Sequence, residues 1–90
     1  CLGVASSSKV QGPYSDHGPL ICQAVGSIDA MPVVDEQGRK FLFWKEDGNS
    51  QKRPTPIWVQ QLSNDGMKLV GKPIETMRND ASWEAHLIEG

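Results

Sequence analysis

The sequence lacks an excess of basic residues and lacks any long apolar run. Nine Lys and Arg residues stand against eleven Asp and Glu residues, which gives a formal net charge of −2 at pH 7. Without a basic stripe there is no surface suited to a phosphate backbone, so we expect no nucleic-acid partner. No apolar run approaches the length that crosses a bilayer and no signal peptide is recognisable, so we expect no membrane partner.

Cysteine is also scarce. Cys1 and Cys22 are too few for a disulfide scaffold or a zinc site, and neither belongs to a Cys-x-x-Cys motif. We therefore expect both to be small, buried apolar residues. They do not fix the compartment, and secreted and cytoplasmic locations both remain open, with secretion favoured.

A sustained apolar repeat at helical spacing is absent, so the sequence predicts little or no helix. Short runs rich in β-branched and aromatic residues alternate instead with turn clusters, which is typical of an antiparallel meander. A hairpin is predicted at 36–39, a turn at 63–66 and an exposed polar loop at 46–54. The predicted strands cover residues 2–5, 31–35, 40–45, 57–62, 69–70 and 74–78.

Two carboxylates, Asp29 and Glu89, stand out because each lies at the end of a short apolar run and has small neighbours. Two acids on neighbouring strands suit hydrolysis of a glycosidic bond, in which one carboxyl protonates the leaving oxygen. Spacing alone leaves the alternative open, since most Asp and Glu residues at strand ends are solvated turn residues.

Three stretches carry a resemblance to a known family: GPYSDHGPLI at 12–21, SIDAMPVVDEQGRKFLFW at 27–44 and RNDASWEAHLIEG at 78–90. In order and spacing they resemble family 43 glycoside hydrolases, and the resemblance covers nearly the whole chain. It implies an all-β fold of antiparallel four-stranded blades from a five-bladed β-propeller. It also implies that Asp29 orients and tunes the general acid and that Glu89 is that acid, while the general base, an Asp of the first blade, lies outside the chain.

The length predicts a fragment of such a propeller, because a blade takes roughly 40 to 50 residues. We expect 1–25 to hold the end of a preceding blade and its connection, 26–80 one blade, and 81–90 the start of the next. The remaining blades of the parent chain would then be its partners.

The resemblance further implies an inverting enzyme that cleaves α-L-arabinofuranosyl or β-D-xylosyl linkages in plant cell-wall polysaccharides or oligosaccharides. Its partner would be an arabinose- or xylose-containing glycan. No cofactor is required, and the ligands of any central ion in the parent would lie in blades outside this chain. The isolated chain should be inactive because it lacks the base. The alternative is a non-catalytic β-propeller or β-sandwich module that binds carbohydrate or protein.

Two departures from the family pattern bear on the substrate. Ala30 stands where Pro commonly follows the tuning Asp, and Ala85-His86 replaces a pair of small residues. The first change loosens the backbone restraint on Asp29, and the second places a larger side chain near the pocket.

Other residues have both functional and structural interpretations. Trp83 is a candidate for stacking on a sugar ring or for the core, and Ile28 is a further candidate substrate contact. Trp44 and Trp58 are expected to pack within the blade. The resemblance favours Glu89 over Glu84 as the acid, because the family's acid follows an apolar pair and precedes Gly or Ala, as Glu89 does.

Two histidines and one charged run are expected to have structural roles and not to take part in binding or catalysis. His86 gives no ligand set for a metal by itself. His17 is predicted to cap the turn at 15–19, and the run 45–47 is predicted to be a solvated strand end.

Overall fold

The computed structural model describes residues 1–84, and these form two antiparallel sheets. The strands follow chain order: one sheet pairs β1 with β2, and the other has the order β3-β4-β5-β6. The prediction of an all-β, antiparallel, four-stranded architecture is confirmed, and a single 3-10 turn is the one helical element in the described part. The strands are β1 (Leu2–Ser6), β2 (Ser15–Ile21), β3 (Ser27–Val34), β4 (Lys40–Glu46), β5 (Ile57–Leu62) and β6 (Leu69–Met77), and the 3-10 turn is Asn49–Gln51.

The predicted hairpin between β3 and β4 forms around Asp35. Its carboxylate accepts hydrogen bonds from the backbone N–H groups of Gln37 and Arg39, and its Oδ2 lies 2.6 Å from Arg39 Nε. Gly38 takes φ +78°, the left-handed conformation that glycine adopts without steric cost. Desolvation raises the pKa of Asp35, but the hydrogen bonds and charge of Arg39 together outweigh it and lower the pKa from its usual value.

The predicted turn between β5 and β6 forms at Asp65-Gly66. Ser63 donates to Asp65 Oδ1 at 2.6 Å, the N–H of Met67 donates to the same oxygen at 3.0 Å, and Gly66 has φ +75°. These donors, the Ser63 hydroxyl first among them, lower the pKa of Asp65. The carboxylate thus closes the turn in its ionised form.

The core lies between the two sheets. Leu42 and Trp44 of β4 and Leu62 of β5 are buried on one face of the four-stranded sheet, where Ile21 of β2 joins them. The Trp44 and Trp58 rings stack with centroids 6.5 Å apart, which confirms the prediction that both pack within the sheet.

A partly buried polar network lies at one end of this core. Gln23 Oε1 accepts hydrogen bonds from Ser27 Oγ at 2.8 Å and Trp44 Nε1 at 2.9 Å, and Gln23 Nε2 donates to Glu46 at 3.1 Å. Trp58 Nε1 donates to the same Glu46 oxygen at 3.0 Å. The side chains of Ser27, Trp44 and Trp58 are thereby fixed relative to the loop that follows β2.

The opposite face of the four-stranded sheet is apolar and is not covered by the described residues. Four residues lie directly opposite one another across the four strands and therefore share this face. In strand order they are Met31, Phe43, Val59 and Ile74. Met31 and Ile74 are 57% and 65% exposed. A second apolar surface therefore lies open in the described part of the molecule.

The prediction for the cysteines is wrong. Cys1 and Cys22 are exposed and form a disulfide bond with their Cα atoms 4.3 Å apart. The reason is the strand register: Leu2 pairs with Ile21, so the residues that flank this pair are brought together at the end of the sheet.

Two smaller expectations also differ from the structure. His17 does not cap a turn; it belongs to β2, and its Nε2 is hydrogen-bonded to Ser6 Oγ on β1 at 2.8 Å. The two short strands expected at 69–70 and 74–78 form the single strand β6. No helix in residues 1–84 is long and apolar enough to cross a membrane.

Candidate active site

Asp29 lies at an irregularity near the start of β3. The pairing of β3 with β4 shifts between Ile28 and Met31, and Asp29 within this shift has φ +55°. Such left-handed conformations are uncommon for residues other than glycine, and they concentrate at functional sites. The bulge turns one carboxylate out of the regular alternation of the strand.

Lys45 of β4 is the partner of that carboxylate. Its Nζ lies 2.7 Å from Asp29 Oδ2, and its side chain is 3% exposed whereas that of Asp29 is 43% exposed. The expectation that 45–47 is a solvated strand end is therefore wrong at Lys45. The alternation of β4 places Lys45 on the same face as Phe41 and Phe43, and this is the sequence signal that would have indicated its burial.

The ion pair lies in the wall of a cleft of about 600 Å³ at the edge of the open sheet face. Its walls are mainly apolar, and Asp29 and Lys45 are the two ionisable residues among the described residues that line it. A charged pair on an apolar wall is typical of ligand sites, in which a few polar groups fix orientation. The other lining residues are Ala30, Met31, Phe43, Trp44, Ile57, Thr76 and Met77.

The loop from β4 to β5 borders this end of the sheet and is held by buried hydrogen bonds. Thr55 is fully buried; its N–H donates to Asn79 Oδ1 at 2.7 Å and its hydroxyl donates to Asn49 Oδ1 at 2.9 Å. Gly48 is also buried, because the carbonyl oxygens of Arg53 and Pro54 approach it closely. The loop predicted to be exposed is therefore compact at its base, although residues 50–54 are exposed.

The other residues that the sequence suggests for the site do not line the described part of the cleft. Glu89 and His86 lie outside the described residues. Ile28 is half-buried opposite Lys45 and does not line the cleft, and Trp83 follows β6 and is 83% exposed, so it is not part of the core of residues 1–84. Glu84 accepts a hydrogen bond from the backbone N–H of Ala81 at 2.7 Å, which is a local structural role.

The described residues include no group of three or more His, Cys, Asp or Glu side chains that could hold a metal ion. The site in residues 1–84 therefore consists of one carboxylate, one ammonium and an apolar wall. This set can orient a second acid and accommodate the apolar face of a sugar, but it does not by itself contain an acid and base pair.

The model of glycosyl hydrolases family 43 matches residues 1–90. The chain belongs to this family. Among solved structures, it is similar to one described as the crystal structure of a thermostable family-43 glycoside hydrolase, with a TM-score of 0.73 and 27% sequence identity. No curated protein matches the chain.

The match with this family 43 structure covers 91% of the present chain and 28% of the other chain. The present chain therefore spans less than a third of that enzyme. Family membership accounts for the four-stranded antiparallel sheet, and it confirms the resemblance drawn from the three sequence stretches.

Proposed function

We propose that this chain is part of an inverting glycoside hydrolase that cleaves α-L-arabinofuranosyl or β-D-xylosyl linkages in plant cell-wall glycans. The observation that carries the proposal is Asp29: a carboxylate in a left-handed bulge, paired with a buried ammonium at the mouth of an apolar cleft. The match of the whole chain to family 43 supports it.

In this mechanism Glu89 protonates the departing glycosidic oxygen, and Asp29 orients Glu89 and disfavours a second negative charge beside it. A nearby negative charge raises the proton affinity of a carboxyl group, which suits a general acid that must keep its proton near neutral pH. A base supplied by another part of the enzyme would activate water on the opposite face of the sugar, which gives inversion. The isolated chain, which lacks that base, should not hydrolyse glycosides.

The apolar wall of the cleft supports a sugar as the ligand. Met31 and Phe43 present apolar surface beside the charged pair. Trp83 follows β6, whose last residue, Met77, lines the same cleft, and its exposed ring is available to stack on a sugar. We therefore propose Trp83 as a substrate contact, and contact of Ile28 with the substrate stays a prediction.

The test is hydrolysis of nitrophenyl α-L-arabinofuranoside and nitrophenyl β-D-xyloside by the full-length enzyme that contains this chain. On arabino- and xylo-oligosaccharides, whose alcohol leaving groups need a proton, we expect Glu89→Gln to lower kcat about 10²-fold to 10⁴-fold, the range for loss of a general acid. The loss on the nitrophenyl glycosides should be smaller, because nitrophenolate is a good leaving group and departs with little protonation. Glu84→Gln is the matched control: it makes the same chemical change five positions earlier, at a residue with a local hydrogen bond, and should leave kcat unchanged.

Oligosaccharide hydrolysis that is unchanged by Glu89→Gln would show that Glu89 is not the acid. If the full-length protein binds arabinose- or xylose-containing oligosaccharides but does not hydrolyse either glycoside, the non-catalytic binding module becomes the better description. The preferred nitrophenyl substrate would also decide between arabinofuranosyl and xylosyl specificity.

A further inference from the structure

We propose that Lys45 is a positioning residue that holds the Asp29 carboxylate in its working orientation through their ion pair. This inference rests on the proposed role of Asp29. It adds a cationic residue from β4 to a site that the sequence describes by carboxylates alone.

The first argument is burial. The ammonium group of Lys45 belongs to a side chain that is 3% exposed, and removing a charge from water is costly unless it is paired. The position lies on a sheet face shared with Phe41 and Phe43, where an apolar side chain of the same length would avoid this cost. Retention of a charge here therefore indicates a requirement for its interaction with neighbouring groups.

The second argument is the geometry of Asp29. Its side chain is nearly half exposed and its backbone lies outside the regular pairing of β3, so packing alone does not fix its rotamer. Within residues 1–84, the partner of its carboxylate is Lys45, at 2.7 Å. Lys45 extends from the adjacent, fully paired strand β4, which makes it a rigid support for a carboxylate on a bulge.

The third argument concerns the other charges nearby. The remaining described residues of the cleft are apolar or neutral, including Thr76 and Met77 of β6 and Ile57 of β5. Glu46, Glu75 and Arg78 line a separate pocket with Trp58 on the other side of the sheet, and Asp80 follows β6 beside Arg78. Asp29 and Lys45 are thus the charged residues of the described cleft lining, and substitution of either leaves the other described charges in place.

The experiment compares Lys45→Met with Lys40→Met in the full-length enzyme. Lys40 lies at the opposite end of β4, where its Nζ donates to the carbonyl of Asn64, so the control makes the same change on the same strand away from the cleft. We expect Lys45→Met to lower kcat about tenfold to a hundredfold, the cost of a misplaced catalytic group, with a smaller change in KM.

We also expect the alkaline limb of the kcat/KM profile to move to higher pH, because removal of a cation leaves more negative charge beside the general acid. Lys40→Met should change neither quantity.

A double-mutant cycle with Asp29→Asn separates positioning from a general structural role. If Lys45 acts through Asp29, Lys45→Met should add little further loss of kcat in the Asp29→Asn background. Multiplicative losses, or a Lys45→Met enzyme with the pH profile of the wild type, would overturn the inference. Lys45→Arg, which keeps the charge, serves as a second variant if Lys45→Met does not fold, and it should keep the alkaline limb in place.

The two proposals fail in different ways. If Glu89→Gln and Asp29→Asn leave activity intact, the proposed function is wrong. The inference about Lys45 then loses its basis, because Asp29 has no catalytic role. If both substitutions abolish turnover while Lys45→Met behaves like Lys40→Met, the proposed function stands and the inference about Lys45 is wrong.

Discussion

Gly48 and Gly66 are both turn residues, but different physical effects oppose a side chain at each position. A Cβ at Gly48 would lie 2.2 Å from the carbonyl oxygen of Pro54, whereas a Cβ at Gly66 meets nothing within 4 Å. Gly66 instead has φ +75°, and Gly48 has the ordinary helical φ of −66°. One position is limited by space and the other by backbone conformation.

We therefore predict that Gly48→Ala destabilises the protein more than Gly66→Ala. Left-handed strain should cost Gly66→Ala about 1 kcal/mol. Gly48→Ala must displace backbone, and overpacking of this kind costs about 1–3 kcal/mol or more. Thermal unfolding of both variants measures the difference. Equal losses, or a larger loss for Gly66→Ala, would contradict the close approach of Pro54 to Gly48.

At the same scale, the sequence identified Asp29 but not Lys45. Asp29 stands out because it lies at the end of a short apolar run and its neighbours match a family motif, whereas a Lys next to Glu and Asp near a strand end is usually solvated. The alternation of β4 indicates the face on which Lys45 lies, but its ion pair depends on the bulge at Asp29, which brings a carboxylate to its ammonium group. Since bulges are set by the pairing of two strands, one strand's sequence gives no local signal for them.

At the scale of elements, the ionised carboxylate of Asp65 stabilises the turn from β5 to β6. Its lowered pKa comes mainly from the Ser63 hydroxyl and the Met67 N–H. A carboxyl group whose pKa is lower in the folded state contributes stability above its unfolded pKa, near 4, and loses that contribution as the pH falls through the folded value. We predict that Asp65→Asn is less stable than the wild type at pH 7 and that the difference shrinks at an acid pH below the lowered pKa of Asp65.

Urea unfolding at both pH values tests this prediction, and Asp16→Asn serves as the control. Asp16 accepts one hydrogen bond from the N–H of Gly18, in a different sheet, and lacks the pair of donors that surrounds Asp65. A stability difference for Asp65→Asn that persists unchanged in acid would show that the turn depends on the shape of the side chain and not on its charge.

The strands were predicted well where alternation is regular and less well where it is interrupted. The bounds of β5 agree with the prediction at 57–62. The strands predicted at 69–70 and 74–78 are separated by a stretch that contains Gly71 and Pro73, yet β6 continues through both. Among the described residues β6 is an edge strand of its sheet, where Pro is tolerated, and Gly71 has φ +74° at an irregular part of the pairing with β5.

At the scale of the whole molecule, the sequence predicted an all-β chain but not the disulfide. The β pattern follows from local composition, which each stretch carries by itself. The bond between Cys1 and Cys22 depends on the register of β1 against β2, and that register is a property of the folded pair. The division of the chain into blades at 25 and 80 stays a prediction.

The open apolar face determines how the isolated chain should behave in solution. Met31, Ile74 and Met77 are each more than half exposed on or beside this face, and within residues 1–84 β6 has no partner on its outer edge. Exposed apolar strands with free edges are templates for association between chains. We therefore predict that the 90-residue chain self-associates as its concentration rises, which sedimentation velocity measures directly.

A pair of variants locates the contact. Ile74→Lys places a charge on the open face, at a position 65% exposed in the edge strand, and should shift the chain toward monomer. Val10→Lys makes a comparable change at a position 89% exposed in the turn between β1 and β2, and should leave association unchanged. If the wild-type chain melts cooperatively as a dilute monomer and stays monomeric when concentrated, the open apolar face does not drive self-association and the prediction is wrong. Equal effects of the two substitutions would instead mean that added charge, and not coverage of this face, controls association.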